Sequence, residues 1–173
     1  MKKKPFSKGW SFIIIFITVG LSYGIYHIYL YNAPRQSHYS RVSSSNLEQE
    51  SLGNIQLLQS LESINRAKPR DDIERYQYYN LNNETTVATA RGDDKIILIS
   101  VYSDHTMRTA RGIHVASSAD DVIEAYGSSY YKRGEQGADI IGYVDKINHR
   151  SLEFWLQDHK VNMIRYSVDS VVM

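Results

Sequence analysis

Apolar positions in this chain run first without a break, then at a spacing of three, then in alternation, and each pattern predicts a different element. The unbroken run is Trp10–Leu30 (WSFIIIFITVGLSYGIYHIYL), which is almost free of charge. As a helix rising about 1.5 Å per residue it would be roughly 30 Å long, enough to cross the hydrocarbon core of a bilayer. Asn32–Ser45 is polar and serine-rich and predicts a linker. Ser45-Asn46-Leu47-Glu48 has the form of a capping box, and Leu52, Ile55, Leu58, Leu61 and Ile64 follow at spacings of three. That stripe predicts an amphipathic helix over residues 46–68, stopped by Lys68-Pro69.

Beyond Asp71 the pattern is that of strands. Arg75–Leu81, Thr85–Ala90 and Lys95–Tyr102 suit a pleated surface and predict an antiparallel meander, with Gly92-Asp93-Asp94 as a turn. Ser118 precedes Asp120-Asp121, and Val122, Ile123 and Tyr126 form an apolar face before Gly127, the pattern of a short helix with a serine N-cap. Asp139–Asp145, Ser151–Leu156 and Val161–Val168 predict three more strands, separated by turns at Lys146–Arg150 and Gln157–Lys160. Leu152, Phe154 and Leu156 share one face; Val161, Met163 and Arg165 are expected on one side of the last strand, with Ile164 and Tyr166 on the other. The expected fold class is therefore α+β: a transmembrane helix, an amphipathic helix, then a small antiparallel-sheet domain with one packed helix.

Charge adds a direction to this layout. Residues 1–31 hold four of the 20 lysines and arginines and none of the 19 acids, so the remainder is net negative. A basic cap before an apolar span predicts a cytoplasmic N-terminus and an extracytoplasmic C-terminal part. The only candidate for signal cleavage, after Ala33, has Tyr31 at −3 and Pro34 following, and the absence of cysteine closes the lipoprotein route. The expected organisation is a cytoplasmic cap at 1–9, a transmembrane anchor at 10–31, a linker at 32–45, the amphipathic helix at 46–68 and an extracytoplasmic domain at 70–173. The expected location is therefore the cell membrane, as a single-pass protein. Gly20-x-x-x-Gly24 would also admit packing against a second span. A mixed, mildly acidic surface lacks the basic stripe that nucleic acid requires.

Thr109-Ala110-Arg111-Gly112-Ile113-His114-Val115-Ala116-Ser117-Ser118, with Val122 and Ala125-Tyr126-Gly127, resembles an Arg-Gly-Ile…Tyr-Gly motif of small exported bacterial proteins. Residues 94–166 are more loosely similar to the repeat of the β-lactamase-inhibitor and outer-membrane-assembly-lipoprotein superfamily. That resemblance implies a binding or scaffolding module without catalytic machinery. Ala116 stands where the motif usually has glycine, so a relaxed turn is expected there.

Candidate chemistry is sparse. His105, His114, His149 and His159 lack zinc-ligand spacing, and the adjacent acids Asp71-Asp72, Asp93-Asp94 and Asp120-Asp121 point in different directions, as turn and cap residues do. No Gly-x-Ser-x-Gly elbow occurs, and Gly134-Glu135-Gln136-Gly137 reads as a mobile loop. No catalytic residue, cofactor or metal site is assigned. The candidate partner-binding residues are Tyr130, Tyr131, Lys132, Arg133 and Gln136, because tyrosine and arginine anchor interfaces; a core role for the rings remains the competing reading. The expected function is a non-catalytic binding or scaffolding module with an envelope protein as partner. The alternatives are an accessory subunit of a larger membrane complex and an envelope enzyme.

Overall fold

Strands Lys68–Pro69 (β1), Tyr76–Asn80 (β2), Thr85–Ala90 (β3) and Ile96–Tyr102 (β4) form one antiparallel meander. Tyr131–Glu135 (β5), Ala138–Asp145 (β6), Arg150–Gln157 (β7) and Lys160–Val168 (β8) form a second. β8 pairs with β4, so the two meanders join into one eight-stranded sheet of order β1-β2-β3-β4-β8-β7-β6-β5, antiparallel throughout. The computed structural model describes residues 8–31, 33–64, 67–70 and 75–169. Helix Ala119–Tyr126 (α3) lies in the connection between β4 and β5. The Ser118 hydroxyl accepts from the Asp121 amide at 3.1 Å, and the Asp121 carboxylate accepts from the Ser118 amide at 2.8 Å, a reciprocal cap at the helix start.

One face of the sheet carries the main core. Val122 and Tyr126 of α3 pack there with Ile99, Ile141, Leu152, Phe154, Ile164 and Tyr166, the Tyr126 ring lying 5.2 Å from that of Tyr143 and 5.3 Å from that of Phe154. Val161 joins this core face instead of the side expected for it, because the β7–β8 register shifts between Trp155 and Leu156. A single extra residue in a ladder turns the following side chains over.

The membrane-spanning expectation is overturned: among the described residues, no helix is long and apolar enough to cross a membrane. Lys8–Tyr31 is helical (α1), but its distal half interleaves Ser22, Tyr23, Tyr26, His27, Tyr29 and Tyr31 with its aliphatic residues. Each of those polar groups costs free energy in hydrocarbon. The helix also ends on the sheet, the Tyr31 ring resting where a side chain on Gly134 would stand and its hydroxyl donating to Asp139. The anchor at 10–31, the single-pass topology, the cytoplasmic N-terminus and the extracytoplasmic location fall with the span. The basic cap up to Ser7 and the Asp71-Asp72 pair lie outside the described residues. The α+β class is corrected as well, since one eight-stranded sheet dominates and, among the described residues, α3 is the only helix packed in the core.

The described residues of the expected helix, 46–64 and 67–68, are not helical as predicted. They form an extended strap with isolated bridges from Leu52 to Ile55 and Thr109 and from Ser60 to Lys95, and a single 3-10 turn at Leu61–Ser63. Leu47, Leu52, Ile55 and Leu57 enter the core, while Leu58, a member of the expected stripe, is turned out with φ 68°. Gly53 and Asn54 weaken any helix here, and an extended chain covers about twice the length of sheet per residue. The supposed capping box is spent on the sheet: the Ser45 amide donates to the Val144 carbonyl, and the Leu47 amide to Asp145 Oδ2.

The Arg-Gly-Ile segment holds this strap. Arg111 donates to the carbonyls of Asn46 and Ala125 and lies over the Tyr126 ring, and buried Glu50 accepts from the Ala110 amide and the Tyr126 hydroxyl. Ala116 keeps the left-handed conformation at φ 78°, so the turn is not relaxed by loss of glycine. A Cβ at that φ costs about 1 kcal/mol. Ala116→Gly is therefore expected to raise the urea-derived stability by about 0.5–1 kcal/mol; a neutral or destabilising result would show that the turn holds no such strain.

Candidate functional site

The proposed partner-binding residues do not share one surface. Tyr131 and Arg133 alternate inward from β5 and are buried, Lys132 and Gln136 are exposed, and Tyr130 is half-buried with Lys132 Nζ over its ring at 5.5 Å. Gln136 and Gly137, with φ 52° and 81°, form the tight hairpin turn between β5 and β6 where a mobile loop was expected. The Tyr131 ring lies across Gly142, where any Cβ would collide with it. Sequence reading missed β5 because Tyr-Lys-Arg-Gly-Glu has no apolar alternation; its inward positions are a tyrosine and an arginine.

Those two side chains converge on Glu153, a fully buried residue of β7 that periodicity did not single out. Glu153 Oε1 accepts from the Tyr131 hydroxyl at 2.5 Å and from Arg133 Nε and Nη2 at 3.1 and 3.0 Å. A third partner arrives from the segment expected to be a free linker. Arg35 places Nε 3.2 Å from the same oxygen and donates through Nη2 to the Ser151 and Ser167 hydroxyls. Arg35 precedes a single helical turn, Gln36–Tyr39 (α2), whose His38 ring stacks on that of Tyr131 at 5.4 Å. The polar arm folds because its guanidinium finds a buried carboxylate and two hydroxyls, partners invisible to a composition argument.

Electrostatics here lock the groups in one state. Burial alone would raise the Glu153 carboxyl, but Arg35, Arg133 and the Tyr131 hydroxyl outweigh it and hold the group below the usual carboxylate range. Burial, reinforced by Glu153, pushes the Tyr131 phenol well above its ordinary value, so it stays a donor. Burial lowers the His38 imidazole, helped by Arg133 and Arg41 against a bond to the Ala33 carbonyl. A fully buried carboxylate whose one oxygen accepts three hydrogen bonds and faces a second guanidinium in an ion pair is built for holding the arm rather than for proton transfer.

A pH dependence follows. His38 has a depressed folded-state pKa, so the unfolded chain takes up its proton first and stability declines as pH drops below about 6.5. Glu153, also depressed, contributes stability above its unfolded value near 4.5 that disappears as pH falls through the folded value. Urea midpoints followed from about pH 8 to about pH 3 should decline in two stages, with the upper one reduced in His38→Asn; an unchanged upper stage in that variant would mean that other histidines cause it.

Among the described residues, no group of three or more His, Asp or Glu stands close enough to hold a metal ion. Comparison of the chain with protein families, curated proteins and solved structures finds no match.

Proposed function

We propose that the protein is a non-catalytic binding module that engages a protein partner through α1. The observation that carries this reading is the state of that helix: Phe16, Leu21, Ile25 and Ile28 are 77%, 62%, 67% and 66% exposed, while the last turn is fixed on β5 and β6 through Tyr31. Folded chains rarely leave so many apolar side chains of one helix bare, and exposed apolar surface on this scale marks an interaction site. The arm at Ala33–Tyr39, pinned by Arg35, gives the helix a rigid foot and so lowers the entropy lost when a partner docks. The looser similarity of residues 94–166 to the β-lactamase-inhibitor and outer-membrane-assembly-lipoprotein superfamily supports the same class. Tyr131 and Arg133 cannot serve as free anchors because they are already spent on Glu153.

The test is site-specific photo-cross-linking in cells, with the reactive side chain at Ile25 and, as control, at Glu124 on the exposed side of α3. A discrete protein adduct from Ile25 alone, lost in Phe16→Ser/Leu21→Ser, is the expected result. No adduct, adducts with lipid only, or equal adducts from both positions would reject a protein-binding role for α1.

A further inference from the structure

Where α1 meets the sheet, the helix end, the arm and β5 enclose a groove of about 550 Å³. Its floor is the stacked pair His38 and Tyr131, which are 5% and 4% exposed. Ile28, Leu30 and Val42 supply aliphatic wall, and the Tyr31 ring closes one side. These groups are held in place: Tyr131 donates to Glu153, Tyr31 to Asp139, and His38 Nε2 to the Ala33 carbonyl. The groove is therefore formed before any ligand arrives.

Charge at its rim is of one sign. Arg41 and Lys132 line the groove together with His27, and no aspartate or glutamate does. Among the described residues neither Arg41 nor Lys132 has a carboxylate within ion-pairing distance, and Lys132 Nζ lies over the Tyr130 ring at 5.5 Å. Asp139, on the neighbouring strand, receives the Tyr31 hydroxyl, and Glu153 is fully buried and paired with Arg35 and Arg133. Burial disfavours a proton on His38, so the floor adds ring surface rather than charge. A preformed apolar groove with a few polar groups at one side is the form of a small-molecule site, and its volume falls within the usual range of about 300–1,000 Å³. A metal cation would find no carboxylate here, and an inorganic anion would leave the aliphatic and aromatic walls bare.

We propose that this groove binds a small amphipathic organic anion, an alkyl chain that ends in an acidic head group. The head takes the Arg41 and Lys132 donors, and the chain lies along Leu30, Val42 and the Tyr131 ring. Of the exposed side chains ascribed to the partner surface, the groove includes Ile28 alone. The proposal therefore does not rest on the partner reading.

Calorimetric titration of the full chain with octanoate should show saturable binding at one site. Octan-1-ol, which lacks the charge, should bind about tenfold more weakly, and acetate, which lacks the chain, should not compete. Arg41 and Lys132 are exposed, so Arg41→Gln/Lys132→Gln should fold normally and lose about tenfold in octanoate affinity with that for octan-1-ol unchanged. Phe16→Ser/Leu21→Ser, which removes the surface offered to a protein partner, should leave octanoate binding intact. Absence of saturable binding would mean that the groove holds water alone. Equal affinity for octan-1-ol, or undiminished octanoate binding in the double glutamine variant, would show that the two cations recognise nothing. Competition by acetate would reduce the site to a bare anion site, and loss of binding in Phe16→Ser/Leu21→Ser would place the chain on the exposed face of α1. Each of these results overturns the proposal.

Discussion

Glu153→Leu is expected to destabilise the protein by about 3–5 kcal/mol, the largest effect of any single replacement on the sheet. The carboxylate is fully buried and holds Arg35, Arg133 and Tyr131 on one oxygen. Its removal leaves two guanidinium groups and a phenol without their acceptor in a site that water does not reach. Replacing Arg35 with methionine in the same chain should recover part of the loss, since removing both members of a buried pair costs less than removing one. Urea denaturation of the single and double variants measures the coupling. If the double variant loses the sum of the two single losses, Arg35 and Glu153 do not act as a pair, and the arm is held by something else.

Cutting the chain to residues 70–173 is expected to abolish cooperative unfolding. The strap upstream contributes Leu47, Leu52, Ile55 and Leu57 to the core. Full burial of such a side chain is worth about 1.5–3 kcal/mol, so four amount to roughly 6–12 kcal/mol, as much as the usual net stability of a whole domain. Glu50 and Arg111 would lose their partners across the strap as well. A chain of residues 33–173 keeps both strap and arm and should unfold in one transition. A shorter fragment with the same urea midpoint would show that the strap is a passive cover.

Seven elements could be placed from sequence because their signals are local. Thr85–Ala90 and Ile96–Tyr102 are runs of β-branched and apolar residues, and α3 carries a serine cap, early acids and a terminal glycine, all within a few residues of where they act. β5 was illegible because its inward positions are tyrosine and arginine, satisfied by a glutamate about twenty residues away. The strap was misread because a spacing of three is consistent with a helix, whereas the sheet offered an extended path that buried Leu57 in place of Leu58. At the candidate site, Tyr131 and Arg133 were named for the right chemistry and the wrong purpose: large, charged or amphipathic groups anchor a chain's own interior as readily as a partner's surface.

By itself the sequence determined the local elements of the distal half, strands with turns between them and one capped helix, and at the start of the chain an apolar helix. Only the tertiary structure decided that β8 joins β4, that residues 33–57 wrap both faces of the sheet, and that α1 ends against β5. Caps, turns and strand propensities act over a handful of residues, so they are written in adjacent letters. The contacts of Arg35 with Glu153, Leu47 with Asp145 and Arg111 with Asn46 span from 65 to 118 positions, and they form because burial selects whichever distant group can satisfy a charge or fill a gap.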